Sequence, residues 1–330
     1  MRSDPCDLGA RVLPEGQGVI FRIWAPRLES LELELVAPMT QRTPMRRKEA
    51  GVFEGLAPKA RRGADYFFVL EGERRRPDPR SRHQPHGVHG SSRVVDPGVF
   101  RWSDAGWSGH PLKSYVLYEL HVGTFTPEGT FDAVIARLDH LAELGVTAVE
   151  IMPVAEFPGE RNWGYDGVHL FAPQSSYGGP DGLRRLVDAC HARGLAFVLD
   201  VVYNHIGPEG NYLDELGPYF SDRYRTPWGD ALNFDGPESD PVRGHFIDNA
   251  LYWAREFHAD GLRLDAVHGI FDFSARHVLE ELRAEMGDLS KHLGRPLHII
   301  AESDLNDVRV IAPPERGGWG HDAQWSDDFH

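Results

Sequence analysis

Two hydrophobic patterns divide the chain. Over residues 8–100 short apolar runs alternate with polar positions at a period of two, as in Leu31–Val36, where leucine and glutamate alternate over five residues. This alternation is typical of strands with one buried face. Turn residues separate that run from similar runs at Gly18–Trp24 and Ala64–Leu70, whereas the polar stretches at 74–80 and 83–92 predict no regular element. Short strands with Gly- and Pro-containing turns favour an all-β, immunoglobulin-like sandwich.

The second pattern, from about residue 111, alternates nearly continuous apolar runs with helical spacing. The strand-like runs are Val116–Val122, Val146–Met152, Ala196–Val202, Gly261–Asp265 and Leu297–Ala301, with a sixth beginning near Asp322. Apolar residues at helical spacing predict helices over 131–144, 242–257 and 278–286, the first ended by Gly145. Strands alternating with helices predict a parallel sheet covered on both faces.

A TIM (β/α)8 barrel and an open doubly wound sheet both fit this alternation. No Gly-rich nucleotide loop follows the first strand, and several runs end in acidic, His, Arg or Asn residues. In a barrel such residues at the carboxyl ends of the strands form the active site. We therefore predict a sandwich over residues 1–110 and a barrel over 111–330. Since a closed barrel has eight strands and typically about 250 residues, five to six strands predict only its front portion.

Composition narrows the class of partner. A net charge of −15 argues against a nucleic-acid or anionic-membrane partner and favours a neutral ligand. No apolar run has the length of a signal peptide or a membrane span, so we expect a cytoplasmic protein. The two cysteines form no disulfide framework, and Cys190 is expected as a buried thiol on a helix face, whereas Cys6 lies near the chain end.

Two carboxylates carry the candidate chemistry. Arg263 and Asp265 are two apart on one strand and so point to the same side, where the arginine would hold the carboxylate ionised as a nucleophile requires. A structural ion pair is the alternative. Glu302 stands where the next strand surfaces, and a partly desolvated glutamate can serve as a general acid. Paired carboxylates on adjacent strands are the arrangement for glycoside hydrolysis.

Further polar residues follow the other strands. Asp200 is expected to be a buried structural partner, with Asn204 beside it, and His205 either binds a sugar or is a loop histidine. Tyr165, in a tight aromatic loop, either stacks on a sugar ring or packs in the core.

The segments Asp200–His205, Gly261–His268 and Ala301–Asp304 together resemble the α-amylase family, glycoside hydrolase family 13. The resemblance implies that Asp265 is the nucleophile and Glu302 the general acid/base, and that the other matching side chains bind or position the sugar. We assign substrate binding to Arg263, His205, Tyr165, His268 and Asp304, and a structural role to Asp200 and Asn204. The family also uses a third catalytic Asp after an Asn-His pair on the seventh strand, and no such motif lies between the fifth strand and residue 330.

Longer strings at residues 164–182, 226–235, 301–307 and 322–330 resemble the members of that family that release trehalose from malto-oligosaccharides. The implied reaction cleaves the α-1,4 bond next to a terminal trehalose unit, with retention and with a carboxyl separation of about 5–5.5 Å. No organic cofactor and no metal site are implied. The front portion alone is expected to associate through unpaired sheet edges and to be inactive.

Three alternatives remain open. A 1,4-α-glucan branching transferase shares the domain plan and core motifs but passes the glucan to another sugar. A metal-dependent barrel hydrolase would use Asp200, His205, Asp265 and Glu302 as ligands. A non-catalytic glucan-binding fragment is the third reading.

Overall fold

The computed structural model describes residues 8–325, which divide into two compact units. The first contains residues 8–101, Ala155–Asp181 and Gly207–Pro218, and the second contains Trp102–Val154, Gly182–Ile206 and residues 219–325. Cys6 and the last five residues of the 322–330 string lie outside the described residues. The domain boundary between residues 110 and 111 stays a prediction. Within residues 8–325 no helix has both the length and the apolar character to cross a membrane.

Two antiparallel sheets form the β-part of the first unit. One contains, in spatial order, Gly9–Val12, Val19–Trp24, Val52–Ala57 and Arg46–Arg47. The other contains Gln41–Pro44, Leu31–Ala37, Asp65–Leu70 and Arg74–Arg76, with Ser92–Arg93 added to Asp65–Leu70. Their buried faces meet where Phe21 and Tyr66 pack edge to face, 4.7 Å between ring centroids.

The three strands that alternation predicts in this region are confirmed within one residue at each end. The prediction that residues 74–80 hold no regular element was wrong for Arg74–Arg76. This strand pairs with Asp65–Leu70 at the sheet edge, where exposed arginines cost little and a hydrophobic pattern is not needed.

A six-stranded parallel sheet organises the second unit, and its strands lie side by side in chain order. We number them β1 to β6: Leu117–Leu120, Ala148–Ile151, Ala196–Val201, Gly261–Leu264, His298–Glu302 and Ala323–Trp325. Every residue of β2, β3 and β4 is buried, as expected for strands covered on both faces. All six predicted runs are confirmed as strands.

Helices and two short hairpins fill the connections. The α-helices are Val122–Phe125, Phe131–Ile135, Leu138–Glu143, Gly179–His191, Leu213–Leu216, Ser239–Glu256 and Val278–Leu293. The hairpins pair Ala155–Glu156 with His169–Pro173 and Phe220–Thr226 with Gly229–Leu232. The 3-10 helices are Pro14–Gly16, Glu49–Gly51, Pro97–Val99, Leu112–Ser114, Ser175–Tyr177, Val267–Gly269, Val308–Val310 and Pro314–Arg316. Cys190 is a buried free thiol on its helix, as predicted.

The single helix predicted over residues 131–144 is two helices in the structure. Arg137 has φ −107° and ψ −6°, and its N–H donates to the carbonyl of Val134, which tightens the turn and interrupts the helix. Leu138 and Leu141 nevertheless remain buried with Phe131, so the apolar face continues across the break. A pattern read from spacing alone therefore could not reveal it. Gly145, at φ 91°, ends the second helix as predicted.

A buried network of charged groups secures the starts of β3 and β4. Asp260, immediately before β4, accepts from the backbone N–H of Phe197 in β3 and from Trp107 and Arg295. His191 bridges Asp260 and Asp104, with its ring nitrogens 3.0 and 2.8 Å from the two carboxylates. Breaking a buried charge pair is costly, so this network should contribute to stability.

The pKa shifts set the pH range of this contribution. Burial lowers the pKa of His191, but hydrogen bonds to Asp104 and Asp260 outweigh burial, so its pKa lies above 6.5. Burial raises the pKa of Asp104, but hydrogen bonds from His191 and His258 bring it to about 2. The His191 contribution is therefore complete below about pH 6.5 and is lost as the pH rises through its folded-state pKa.

We predict that His191→Gln lowers the free energy of unfolding by roughly 3 kcal/mol at pH 5.5 and by less at pH 8.5. Urea denaturation at both pH values measures the difference. His140→Gln, which changes an exposed histidine, should cost little at either pH. An equal loss at the two pH values would contradict a charged His191.

Candidate active site

Asp265 and Glu302 lie at the carboxyl ends of the adjacent strands β4 and β5. The parallel register pairs Leu264 with Ala301, so Asp265 and Glu302 are the next positions along their strands. Their side chains are 13% and 19% exposed, which leaves both carboxylates accessible but partly desolvated. This placement agrees with the pairing expected from the sequence, while their catalytic roles and their separation stay predictions.

Arg263 joins the carboxylates of three strands. Its Nη1 donates to both carboxylate oxygens of Asp200, at 3.1 and 3.0 Å, and to Oδ1 of Asp265 at 2.8 Å. Its Nη2 lies 3.8 Å from Oε2 of Glu302. Because Asp200 and Arg263 are both almost fully buried, a strong charge interaction holds this guanidinium beside Asp265.

Asn204 provides a second constraint on Asp265. Its side-chain amide donates to the backbone carbonyl and to Oδ2 of Asp265, at 2.8 and 2.7 Å. Its own amide oxygen contacts Nδ1 of His205, which is buried. With Arg263 on one carboxylate oxygen and Asn204 on the other, both oxygens of Asp265 are held by donors.

Glu302 is held in place by the backbone that follows Asp265. The N–H of Ala266 donates to Oε2 of Glu302 at 2.5 Å. Ala266 has φ 40° and ψ 54°, a left-handed conformation that is unfavourable for alanine. Backbone strain of this kind is concentrated at functional sites. Here the strained conformation directs the N–H of Ala266 towards the Glu302 carboxylate.

The remaining predicted residues fall into two groups. His268, in the turn Val267–Gly269, has Nδ1 3.3 Å from Oδ1 of Asp304. Tyr165 belongs to the first unit, whereas the other eight predicted residues belong to the second. The structure therefore links Asp200, Asn204, His205, Arg263, Asp265 and Glu302 by contact, with His268 and Asp304 as a separate pair.

Sequence reasoning missed Trp228. It lies in the turn of the hairpin Phe220–Leu232, is 46% exposed, and stacks on the His205 ring with 5.1 Å between centroids and 12° between planes. The available sequence signal was a tryptophan between Pro227 and Gly229 in a polar stretch.

The metal-ligand set considered from the sequence is not formed. His205, Asp265 and Glu302 are not among the clustered ligand atoms found in residues 8–325, and Asp200 clusters with other residues. One different group exists there: oxygens of Glu119, Glu150 and Asp200 lie within 4.8 Å of one another. The four residues therefore do not form the ligand set that a metal-dependent hydrolase would need within residues 8–325.

Two family profiles match consecutive parts of the chain. The profile for the Alpha amylase catalytic domain matches residues 94–228, and that for Carbohydrate-binding module 48 (Isoamylase N-terminal domain) matches residues 7–94. A solved Salmonella typhimurium protein described as an alpha amylase has a TM-score of 0.90 and 45% identity, covering 98% of this chain and 54% of that one. Over residues 94–228 the chain matches the α-amylase family.

Within the family, the chain is similar to proteins named malto-oligosyltrehalose trehalohydrolase. The relative from Saccharolobus solfataricus is 50% identical over 95% of this chain and 54% of its own length. The one from Arthrobacter ramosus is 52% identical over 94% and 54%. A glycogen branching enzyme, GlgB of Vibrio parahaemolyticus, is 30% identical over 94% and 46%. The chain spans about half the length of these relatives.

We predict that Asn204→Leu lowers kcat on an α-glucan substrate by about 100-fold with little change in KM, because Asp265 loses two donors that orient it. Steady-state kinetics on the full-length protein measure both constants. Asn211→Leu is the control, since the side chain of Asn211 accepts a hydrogen bond from the N–H of Leu213 in its own turn. A normal kcat in Asn204→Leu, or an equal loss in the control, would show that these donors do not orient a catalytic group.

Proposed function

We propose that the protein is a retaining glycoside hydrolase that cleaves the α-1,4 bond next to the trehalose end of a malto-oligosaccharide and releases trehalose. The single observation that carries the reaction class is the pair of carboxylates, Asp265 and Glu302, at adjacent strand ends beside Arg263. The choice of substrate is supported by the similarity to relatives named malto-oligosyltrehalose trehalohydrolase.

The reaction proceeds in two displacements. Protonated Glu302 donates its proton to the glycosidic oxygen on the trehalose side, while Asp265 attacks the anomeric carbon of the adjoining glucose. Trehalose leaves and a glycosyl ester on Asp265 remains. Glu302 then removes a proton from water, which attacks the same carbon and frees the malto-oligosaccharide with retained configuration.

The surrounding residues serve the sugar or the carboxylates. Arg263 holds the Asp265 carboxylate through a hydrogen bond of 2.8 Å. His205 donates to the reacting sugar from its position between Asn204 and Trp228. The exposed face of Trp228 suits stacking on a sugar ring. His268 and Asp304 add to the sugar-binding residues of the second unit, and Tyr165 is a proposed sugar contact of the first. Asp200 and Asn204 act as structural partners, and no organic cofactor takes part.

The finer architecture is part of the same proposal. The two antiparallel sheets form an immunoglobulin-like sandwich over residues 1–110 that binds carbohydrate, which the match to Carbohydrate-binding module 48 supports. The six parallel strands are the front portion of a (β/α)8 barrel. A third catalytic Asp would lie outside residues 1–330, because the motif that carries it in the family is not found within them.

A 1,4-α-glucan branching transferase is the second candidate, favoured by the similarity to GlgB. The two activities share the glycosyl-enzyme and differ in its acceptor. Full-length protein incubated with maltotriosyltrehalose yields free trehalose if water is the acceptor, and incubated with amylose yields α-1,6 branches if a sugar is the acceptor. Chromatography of both mixtures separates the candidates.

We predict that Asp265→Asn and Glu302→Gln each lower kcat by at least about 1,000-fold while the Kd for maltotriosyltrehalose stays within a few-fold of wild type. Both residues act on the bond being broken rather than on sugar recognition. Calorimetric titration measures Kd, and trehalose release measures kcat. Glu315→Gln, an exposed carboxylate change, is the control and should retain normal activity. Lost binding with normal turnover at saturation would reverse the assigned roles.

A further inference from the structure

Three carboxylates from consecutive strands converge beside the Arg263–Asp200 pair. Glu119 of β1 and Glu150 of β2 are register partners, and Asp200 lies in β3. One oxygen of each lies within 4.8 Å of the others. Glu150 is completely buried, and neither of its oxygens has a hydrogen-bond partner among residues 8–325.

The positive charge nearby is already shared. Arg263 donates to Asp200 and Asp265 and lies 3.8 Å from Glu302, so one guanidinium serves three carboxylates before Glu150 and Glu119 are considered. Glu150 itself is completely buried, and neither of its carboxylate oxygens accepts a hydrogen bond within residues 8–325. A bare Glu150 carboxylate is therefore unfavourable, and either a cation or a proton must compensate it.

We propose that Glu119, Glu150 and Asp200 bind a hard divalent cation, calcium or magnesium. Carboxylate oxygens are the ligands these ions prefer, whereas softer metals select sulfur or imidazole. Oxygens on opposite sides of a calcium ion lie about 4.6–5.2 Å apart, which accommodates the observed limit of 4.8 Å. Glu119 is the exposed member of the three within residues 8–325.

The ion acts on catalysis through Arg263. Both oxygens of Asp200 accept from Arg263 Nη1, and the same nitrogen donates to Asp265. Fixing Asp200 therefore fixes the guanidinium that holds the nucleophile proposed above. Glu119, Glu150 and Asp200 are positioning residues, and the binding site itself does not depend on the proposed reaction.

The test is cation binding by the full-length protein after treatment with chelator. Calorimetric titration with calcium chloride and, separately, magnesium chloride should show one equivalent bound with at least one of the two ions, and the bound ion should raise Tm. Glu119→Gln should weaken binding by about tenfold or more, and Glu150→Gln should remove it. Glu143→Gln, exposed on a helix, and Glu156→Gln, buried outside the cluster, should bind as wild type does.

The outcomes show whether a bound cation or a proton compensates the charge of Glu150. If Glu150 is compensated by a proton, the wild type binds neither ion and its Tm does not respond to them, which overturns the proposal. Unchanged affinity in Glu119→Gln and Glu150→Gln would overturn it too, because the ion would then lie elsewhere. Glu119→Gln keeps the test decisive if Glu150→Gln fails to fold, because it changes a different ligand of the same set. None of these readouts uses a sugar substrate, so failure of the proposed hydrolase activity would leave the result intact.

Discussion

Arg263 is buried at the carboxyl end of a parallel sheet, where its charge is stable only if neighbouring strands supply carboxylates. Those carboxylates come from three consecutive strands: Asp200 from β3, Asp265 at the end of β4 and Glu302 from β5. The arrangement of the two catalytic candidates therefore depends on this guanidinium. Removing it would leave three carboxylates facing one another, and lysine could not span them with the same planar fork of donors.

The same strands are secured at both ends by different chemistry. At their starts, Asp260 ties β3 to β4 through the N–H of Phe197, and His191 is bound between Asp260 and Asp104. At their carboxyl ends, Asn204 and the strained Ala266 direct donors at the two catalytic candidates. The stabilising network and the two catalytic candidates thus lie at opposite ends of one sheet, which is the usual division in TIM barrels.

The sequence predicted those parts of the molecule that local pattern determines. The strands β2 to β5 were predicted from apolar runs, and Asp265 and Glu302 were identified because charged residues end such runs. The helix break at Arg137 was not predicted because the apolar spacing continues across it. Glu119 and Glu150 were missed because each is a single acid inside an apolar run, and only the parallel register brings them together with Asp200. Trp228 was missed because stacking on His205 depends on a hairpin whose strands are mostly polar.

The claim that Asp265 is the nucleophile is tested most directly by trapping the covalent intermediate. A malto-oligosaccharyl fluoride carrying fluorine at C5 of the reacting glucose slows hydrolysis of the glycosyl-enzyme, so the full-length protein should accumulate it. Peptic digestion and tandem mass spectrometry would then locate the added mass. We expect it on Asp265, as an ester that disappears slowly while activity returns. A label on any other residue, or turnover of a normal substrate with inverted configuration, would contradict this account.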